Sequence, residues 1–223
     1  SEAGDIDDLA RRAQALQRAA EQVDASADSA VLAWIGYDAP NGLDAPGVAA
    51  TRMAQAGGAQ LADAVAGIKA ARESQPHLLV VGHSYGATTT ASASHSDQLA
   101  ADTLALVGSP GAAGARHAQE FATPSERVWV GAHSRDPIAS LGALPWRDLS
   151  RAALGLGVGF DVGLGRDPST SAFGARRFAA ESAPNERTGA LAAHSSYFAP
   201  GGESMRNLAA LLLEAGLAFQ VAV

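Results

Sequence analysis

The five residues Gly82-His83-Ser84-Tyr85-Gly86 stand between an apolar run, Leu78-Leu79-Val80-Val81, and a stretch of small residues from Ala87 to Ala93. Strand, sharp turn and helix in that order make a nucleophile elbow, the turn that lifts a serine hydroxyl above the end of a sheet. The flanking glycines have a steric reason, because the turn brings backbone against backbone and a side chain there would collide. A bare GxSxG is weak in a chain with 24 glycines, where the alternative is a Gly-Ser turn with no chemistry. The flanks carry the weight. Pro76 punctuates the start of the strand, four apolar residues fill it, and the following residues are small enough to pack a helix tightly on a sheet.

Serine is a poor nucleophile at neutral pH, so it needs a positioned base, and the base needs a carboxylate to fix its tautomer and stabilise imidazolium. On this kind of turn the order along the chain is nucleophile, acid, histidine. Asp136, in Ser134-Arg135-Asp136-Pro137, lies just past a predicted strand downstream of the elbow and is the candidate acid; Asp161 and Asp167, in a Gly-rich stretch, are its rivals. Of the six histidines, His194 occupies a predicted loop late in the chain, in Ala193-His194-Ser195-Ser196-Tyr197-Phe198, just before the last helix. A lone loop histidine is more often a solvated ring, but its position after Ser84 and Asp136 makes His194 the candidate base. His77, His83 and His95 belong to the elbow strand, the elbow and the far end of its helix, and His117 and His133 precede the acid. For the oxyanion, the backbone N–H of Tyr85 at a helix N-terminus is one candidate donor. The loop Gly36-Tyr37, with Tyr37, is the candidate for the second.

The elements that would position these groups follow from periodicity. Ile6, Leu9, Ala13, Leu16, Ala20 and Val23 recur at helical spacing, with Asp5, Asp7 and Asp8 at the positive end of the dipole. A strand is predicted over Val31 to Ile35, then a long helix from Val48 to Glu73 with a weak point at Gly57-Gly58. Strands follow at Thr103 to Val107, at Val128 to Val130 and around Arg176 to Phe178, and Met205, Leu208, Leu211 and Leu212 mark a closing helix. Alternating strands and helices imply right-handed crossovers, hence an α/β fold with a mostly parallel sheet covered by helices on both faces and ligands at the carboxyl ends of its strands. With no linker-like shift in composition, residues 1–223 read as one domain, with a lid-like insertion at 140–174.

Composition narrows the classes. A net charge of −7 and a pI near 5.3 argue against nucleic acid or an anionic membrane as partner. There are no cysteines, which excludes disulfide scaffolds, thiolate metal sites and cysteine nucleophiles. No apolar stretch is long enough to span a bilayer, no His/Asp/Glu cluster has metal-ligand spacing, and no cofactor is expected. The glycines from Gly155 to Gly165 form no phosphate loop and fit a lid. Asp38 fits a turn cap or a substrate contact, and Trp34, Trp129 and Trp146 fit packing. The compartment stays open between cytoplasm and secretion after processing.

The motifs together resemble a bacterial α/β-hydrolase family, cutinase-like in plan and long catalogued as a domain of unknown function. The matching segments are Trp34-Ile35-Gly36-Tyr37-Asp38-Ala39-Pro40, the GHSYG elbow, Gly108-Ser109-Pro110-Gly111, Arg135-Asp136-Pro137, Phe173 to Phe178, and His194 through Tyr197-Phe198 with Pro200-Gly201. The resemblance implies a serine hydrolase that uses Ser84, Asp136 and His194 on small-molecule carboxylic esters. It departs from the family's usual order at one point: the first strand, which carries the oxyanion loop, has no counterpart before the first helix. An upstream segment or a second copy completing the sheet, or recruitment of the Gly36-Tyr37 loop, would supply what is missing. Two other readings stay open, transfer of the acyl group to an acceptor other than water and a non-catalytic α/β-hydrolase-like binding module.

Overall fold

The computed structural model describes residues 2–37, 47–74, 76–96, 98–139, 164–183, 189–215 and 217–221. Their elements run α1 (Glu2–Val23), β1 (Ala30–Trp34), α2 (Gly47–Ala70), β2 (Leu78–His83), α3 (Tyr85–His95), β3 (Thr103–Val107), β4 (Val128–Gly131), β5 (Arg176–Phe178), α4 (Ala190–Ser195), α5 (Glu203–Ala215) and β6 (Leu217–Val221). The six strands form one sheet in the order β1-β6-β2-β3-β4-β5, and every neighbouring pair is parallel.

Strands β2, β3 and β4 bury apolar residues on both sides, as a sheet covered on two faces requires, and their alternation divides the core in two. Leu78 and Val80 of β2, Leu104 and Leu106 of β3 and Val128 and Val130 of β4 join Leu61 and Val65 of α2 and the alanines of α3. Leu79, Val81, Ala105 and Val107 point the other way, onto Leu16 and Ala20 of α1 and Leu208 and Leu212 of α5. Leu16, Leu208 and Leu212 are fully buried, so truncating any of them to alanine should cost about 2–5 kcal/mol.

The α1 stripe holds over Leu9, Ala13, Leu16 and Ala20, while Ile6 and Val23, expected on the same face, are exposed at the two ends of the helix. The Gly57-Gly58 pair does not break α2. A Cβ on Gly57 would come within 2.8 Å of the Tyr37 ring, and one on Gly58 within 3.0 Å of the Ala93 nitrogen, so these glycines let α2 pack close on α3 and Tyr37.

Two elements were not anticipated. His194 lies in the last turn of the short helix α4, not in a loop. The chain also ends its described part in a strand, β6, which inserts between β1 and β2. There it pairs with both, Val221 opposite Trp34 on one side and Gly82 on the other. The position beside the elbow strand, on the side toward β1, is therefore filled by the chain's own β6.

Of the stretch 140–174, residues 140–163 lie outside the described residues, as do Asp38, Trp146 and Asp161. The described remainder is tied down. Leu164 and Arg166 accept hydrogen bonds through their carbonyls from Ala113 and Ala112, at 2.8 and 2.9 Å, and the buried Phe173 meets Phe121 with ring centroids 5.7 Å apart.

Candidate active site

Ser84 follows directly on β2 and precedes α3, and its backbone sits at φ 54° and ψ −127°. That left-handed φ is costly for any residue with a Cβ, and it is the conformation that turns a strand sharply into a helix. Gly82 shows why the turn needs small residues: a Cβ there would lie 2.6 Å from the Ala87 Cα and 2.7 Å from the Gly86 oxygen. The hydroxyl thus stands at the carboxyl edge of the sheet, on a residue that is 7% exposed.

His194 bridges it to the carboxylate. Its Nε2 lies 2.7 Å from Ser84 Oγ, and its Nδ1 lies 2.9 Å from Asp136 Oδ2. An ionised carboxylate only accepts, so Nδ1 carries the hydrogen and donates to Asp136. Nε2 then presents a lone pair to the serine O–H. Asp136 is 1% exposed, and burial by itself would raise its pKa. The hydrogen bond and charge of His194, with donors from Tyr197 and Ile138, outweigh that and hold the carboxyl below its ordinary value. The backbone N–H groups of Ile138 and Ala139 donate to the other oxygen at 2.8 and 3.3 Å, and the Tyr197 hydroxyl donates to Oδ2 at 2.7 Å.

The rival Asp167 is buried too, but its carboxylate accepts from the Ser169 N–H at 2.7 Å within its own turn. Tyr85 opens α3, where first-turn N–H groups have no acceptor within the helix. Its side chain points away, into an apolar cluster with Ala54 and Leu164 against which Tyr37 and Met53 pack. Tyr37 stacks on Trp34 at 5.9 Å and lies 6.1 Å from the Tyr85 ring. Its hydroxyl bonds to Thr89, and burial raises its pKa to about 12.

Several groups at this site escaped the sequence reading. Tyr197 links the acid to its own loop, because its oxygen also accepts the His133 N–H at 2.9 Å. It stands three residues after His194, a spacing that puts both on one side of a helical turn, which was the available signal. His133 is a brace: its Nδ1 accepts the Arg135 N–H at 3.0 Å, so its Nε2 donates to Ser182 Oγ at 3.1 Å. Ser182 donates to Ser196 at 3.2 Å, and Ser196 donates to the Ala193 carbonyl at 2.8 Å. The acid loop is thereby tied to α4. His83, set aside as an elbow residue, is buried and in contact with His194.

Among the described residues, no group of three or more His, Asp or Glu side chains is arranged to hold a metal ion, and no helix is long and apolar enough to cross a membrane.

Two relatives from Mycobacterium tuberculosis, "Uncharacterized protein MT2140" of strain CDC 1551 / Oshkosh and "Uncharacterized protein Rv2079" of strain ATCC 25618 / H37Rv, are each 40% identical over 194 residues. The match covers 85% of this chain and 29% of each relative, so the chain spans less than a third of the length of the curated relatives it matches. No solved structure matches the chain significantly. The family model described as "Alpha/beta hydrolase" matches residues 3–145, a span that holds the elbow, the four strands β1 to β4 and Asp136; the chain belongs to the α/β-hydrolase family.

Proposed function

We propose that the protein is a serine hydrolase that cleaves carboxylic esters through an acyl-enzyme on Ser84. The observation that carries this reading is His194 with both ring nitrogens engaged, one on the serine hydroxyl and one on a buried carboxylate. In the acylation step Ser84 Oγ attacks the ester carbonyl while its proton passes to His194 Nε2, and Asp136 stabilises the imidazolium through the Nδ1–H it already accepts. The tetrahedral oxygen is held by the Tyr85 N–H, where the α3 dipole favours negative charge. His194 then gives its proton to the departing alkoxide. Water repeats the sequence on the acyl-serine, releasing the acid and restoring the serine.

Tyr37 is the proposed second oxyanion donor. Its raised pKa keeps the hydroxyl protonated, and serving the oxyanion takes that hydroxyl off Thr89. A Tyr37→Phe variant, which keeps the ring, should then lose about 100-fold in kcat; turnover within twofold of wild type would return Tyr37 to a packing role. The Ala54–Tyr85–Leu164 cluster beside the serine suits an apolar acyl group.

The test is turnover of a nitrophenyl ester series from acetyl to decanoyl. Wild-type protein is expected to hydrolyse at least one member and Ser84→Ala none above the uncatalysed rate. A folded wild-type protein that turns over no member of the series contradicts the reading.

A further inference from the structure

We propose that His83 is a positioning residue for the base: Arg12, reaching across from α1, fixes the tautomer of His83 so that its Nε2–H holds the backbone carbonyl of His194 and, through it, the ring that faces Ser84. The proposal rests on the serine-hydrolase reading and adds to it two residues on the face of the sheet that packs against α1.

The strand pattern puts His83 there. Leu79 and Val81 face α1 and α5, and the two-residue period carries His83 to that same face while Ser84 rises at the rim. The ring is 4% exposed, so both nitrogens need partners. Arg12 Nη1 lies 3.3 Å from Nδ1. A guanidinium has no acceptor, so it donates and Nδ1 is bare. The hydrogen is therefore on Nε2, which donates to the His194 carbonyl at 2.8 Å.

Arg12 is itself held from behind. Its Nη2 pairs with the Asp8 carboxylate one turn earlier, and its guanidinium stands over the Phe198 ring, 5.9 Å from the centroid. The His83 ring is enclosed by that of His194 at 5.0 Å, of Tyr197 at 5.5 Å and of Phe198, edge-on, at 5.9 Å. A line of contacts thus runs Asp8, Arg12, His83, His194, ending on the backbone of the residue that must keep its ring within hydrogen-bond reach of Ser84. Burial first, then the charges of His194 and Arg12, push the His83 pKa down to about 3. The ring stays neutral and its Nε2–H stays a donor while His194 takes up and returns its proton.

A buried histidine that merely filled space would leave the serine's reactivity unchanged after an apolar replacement of similar size. The experiment compares second-order labelling of Ser84 by a fluorophosphonate in wild type, His83→Leu and His83→Gln, with kcat and KM on the best nitrophenyl ester. His83→Leu is expected to slow labelling and lower kcat by about a hundredfold with little change in KM. His83→Gln, whose amide can still donate to the carbonyl, should recover to within about tenfold of wild type. Where His83→Leu gives no cooperative melt, Arg12→Met carries the same readout, expected at about a tenfold loss, with Arg12→Lys recovering it.

Independent of turnover, ring-nitrogen NMR of the wild-type chain, with His83 assigned by its loss in His83→Gln, should show the His83 ring with hydrogen on Nε2 and a bare Nδ1 from pH 8 to pH 5, its Nδ1 signal displaced in Arg12→Met. A His83 ring that titrates in that range, or carries its hydrogen on Nδ1, overturns the proposal. Wild-type protein labelled at Ser84 together with His83→Leu labelled equally fast overturns the positioning role alone. Wild-type protein that shows the tautomer yet is never labelled at Ser84 overturns the hydrolase reading and His83's positioning role with it.

Discussion

His83 and Asp136 are buried groups whose proton affinity changes on folding, and both make the folded chain sensitive to acid. The pKa of His83 falls from 6.5 to about 3, so between those values the unfolded chain binds a proton there that the native chain does not. Stability is complete above 6.5 and drops as the pH falls, by about 1.4 kcal/mol per unit at most. Asp136, with its lowered pKa, contributes stability that is present above 3.8 and lost below it, so the two act in sequence and with the same sign. Melting curves from pH 7 to pH 4 should therefore fall steeply for wild type and less steeply for His83→Gln, which has nothing to titrate; parallel curves would contradict the assignment. At this scale the approach of Ser84, Asp136 and His194 was legible because their residue types and their order fit the pattern of hydroxyl, carboxylate and imidazole. Tyr197, His83 and Arg12 were not, because their contribution depends on which face of the sheet they reach. Arg12 gives only a faint sign of itself, a cation placed between the buried Leu9, Ala13 and Leu16 of α1.

Among the elements, the elbow stores strain that the rest of the fold holds in place. Ser84 at φ 54° is penalised by its Cβ, and glycine at that position is not. Ser84→Gly should accordingly unfold at a higher temperature than Ser84→Ala, by about 1–2 kcal/mol of stability, though both lack the hydroxyl; equal melts would mean that the turn relaxes without cost. The long elements were readable from periodicity, since β2, β3, α1 and α5 each bury a continuous set of apolar residues. The exceptions have physical reasons. The six residues of α4 are too few to show a stripe. The run Leu217–Val221 follows closely on α5, and an apolar run that short cannot be told from a helix by period alone. Gly57-Gly58 reads as a weak point of the helix because propensity sees the missing side chain and not the neighbour that uses the space.

For the molecule as a whole, β6 changes how the sheet is completed. A strand that pairs on both sides is part of the core, so removing Leu217–Val221 should lower the melting temperature by more than about 10 °C or abolish the cooperative transition. A truncated chain that melts like its parent would contradict the pairing with β1 and β2. Among the described residues β1 pairs on one side only, with β6, and Leu32 and Ile35 nearby are 38% and 46% exposed. Any second copy or additional segment that extends the sheet is proposed to add there. The other edge, β5, presents the exposed Arg176 and Arg177, which discourage pairing. The central claim is that His194, held by Asp136, activates Ser84. Intact-mass and peptide analysis after treatment with a fluorophosphonate tests it most directly, with one phosphonyl group expected on the peptide carrying Ser84 in wild type and labelling slowed by about a thousandfold or more in His194→Gln. Labelling that is absent from wild type, or as fast in His194→Gln as in wild type, would contradict it.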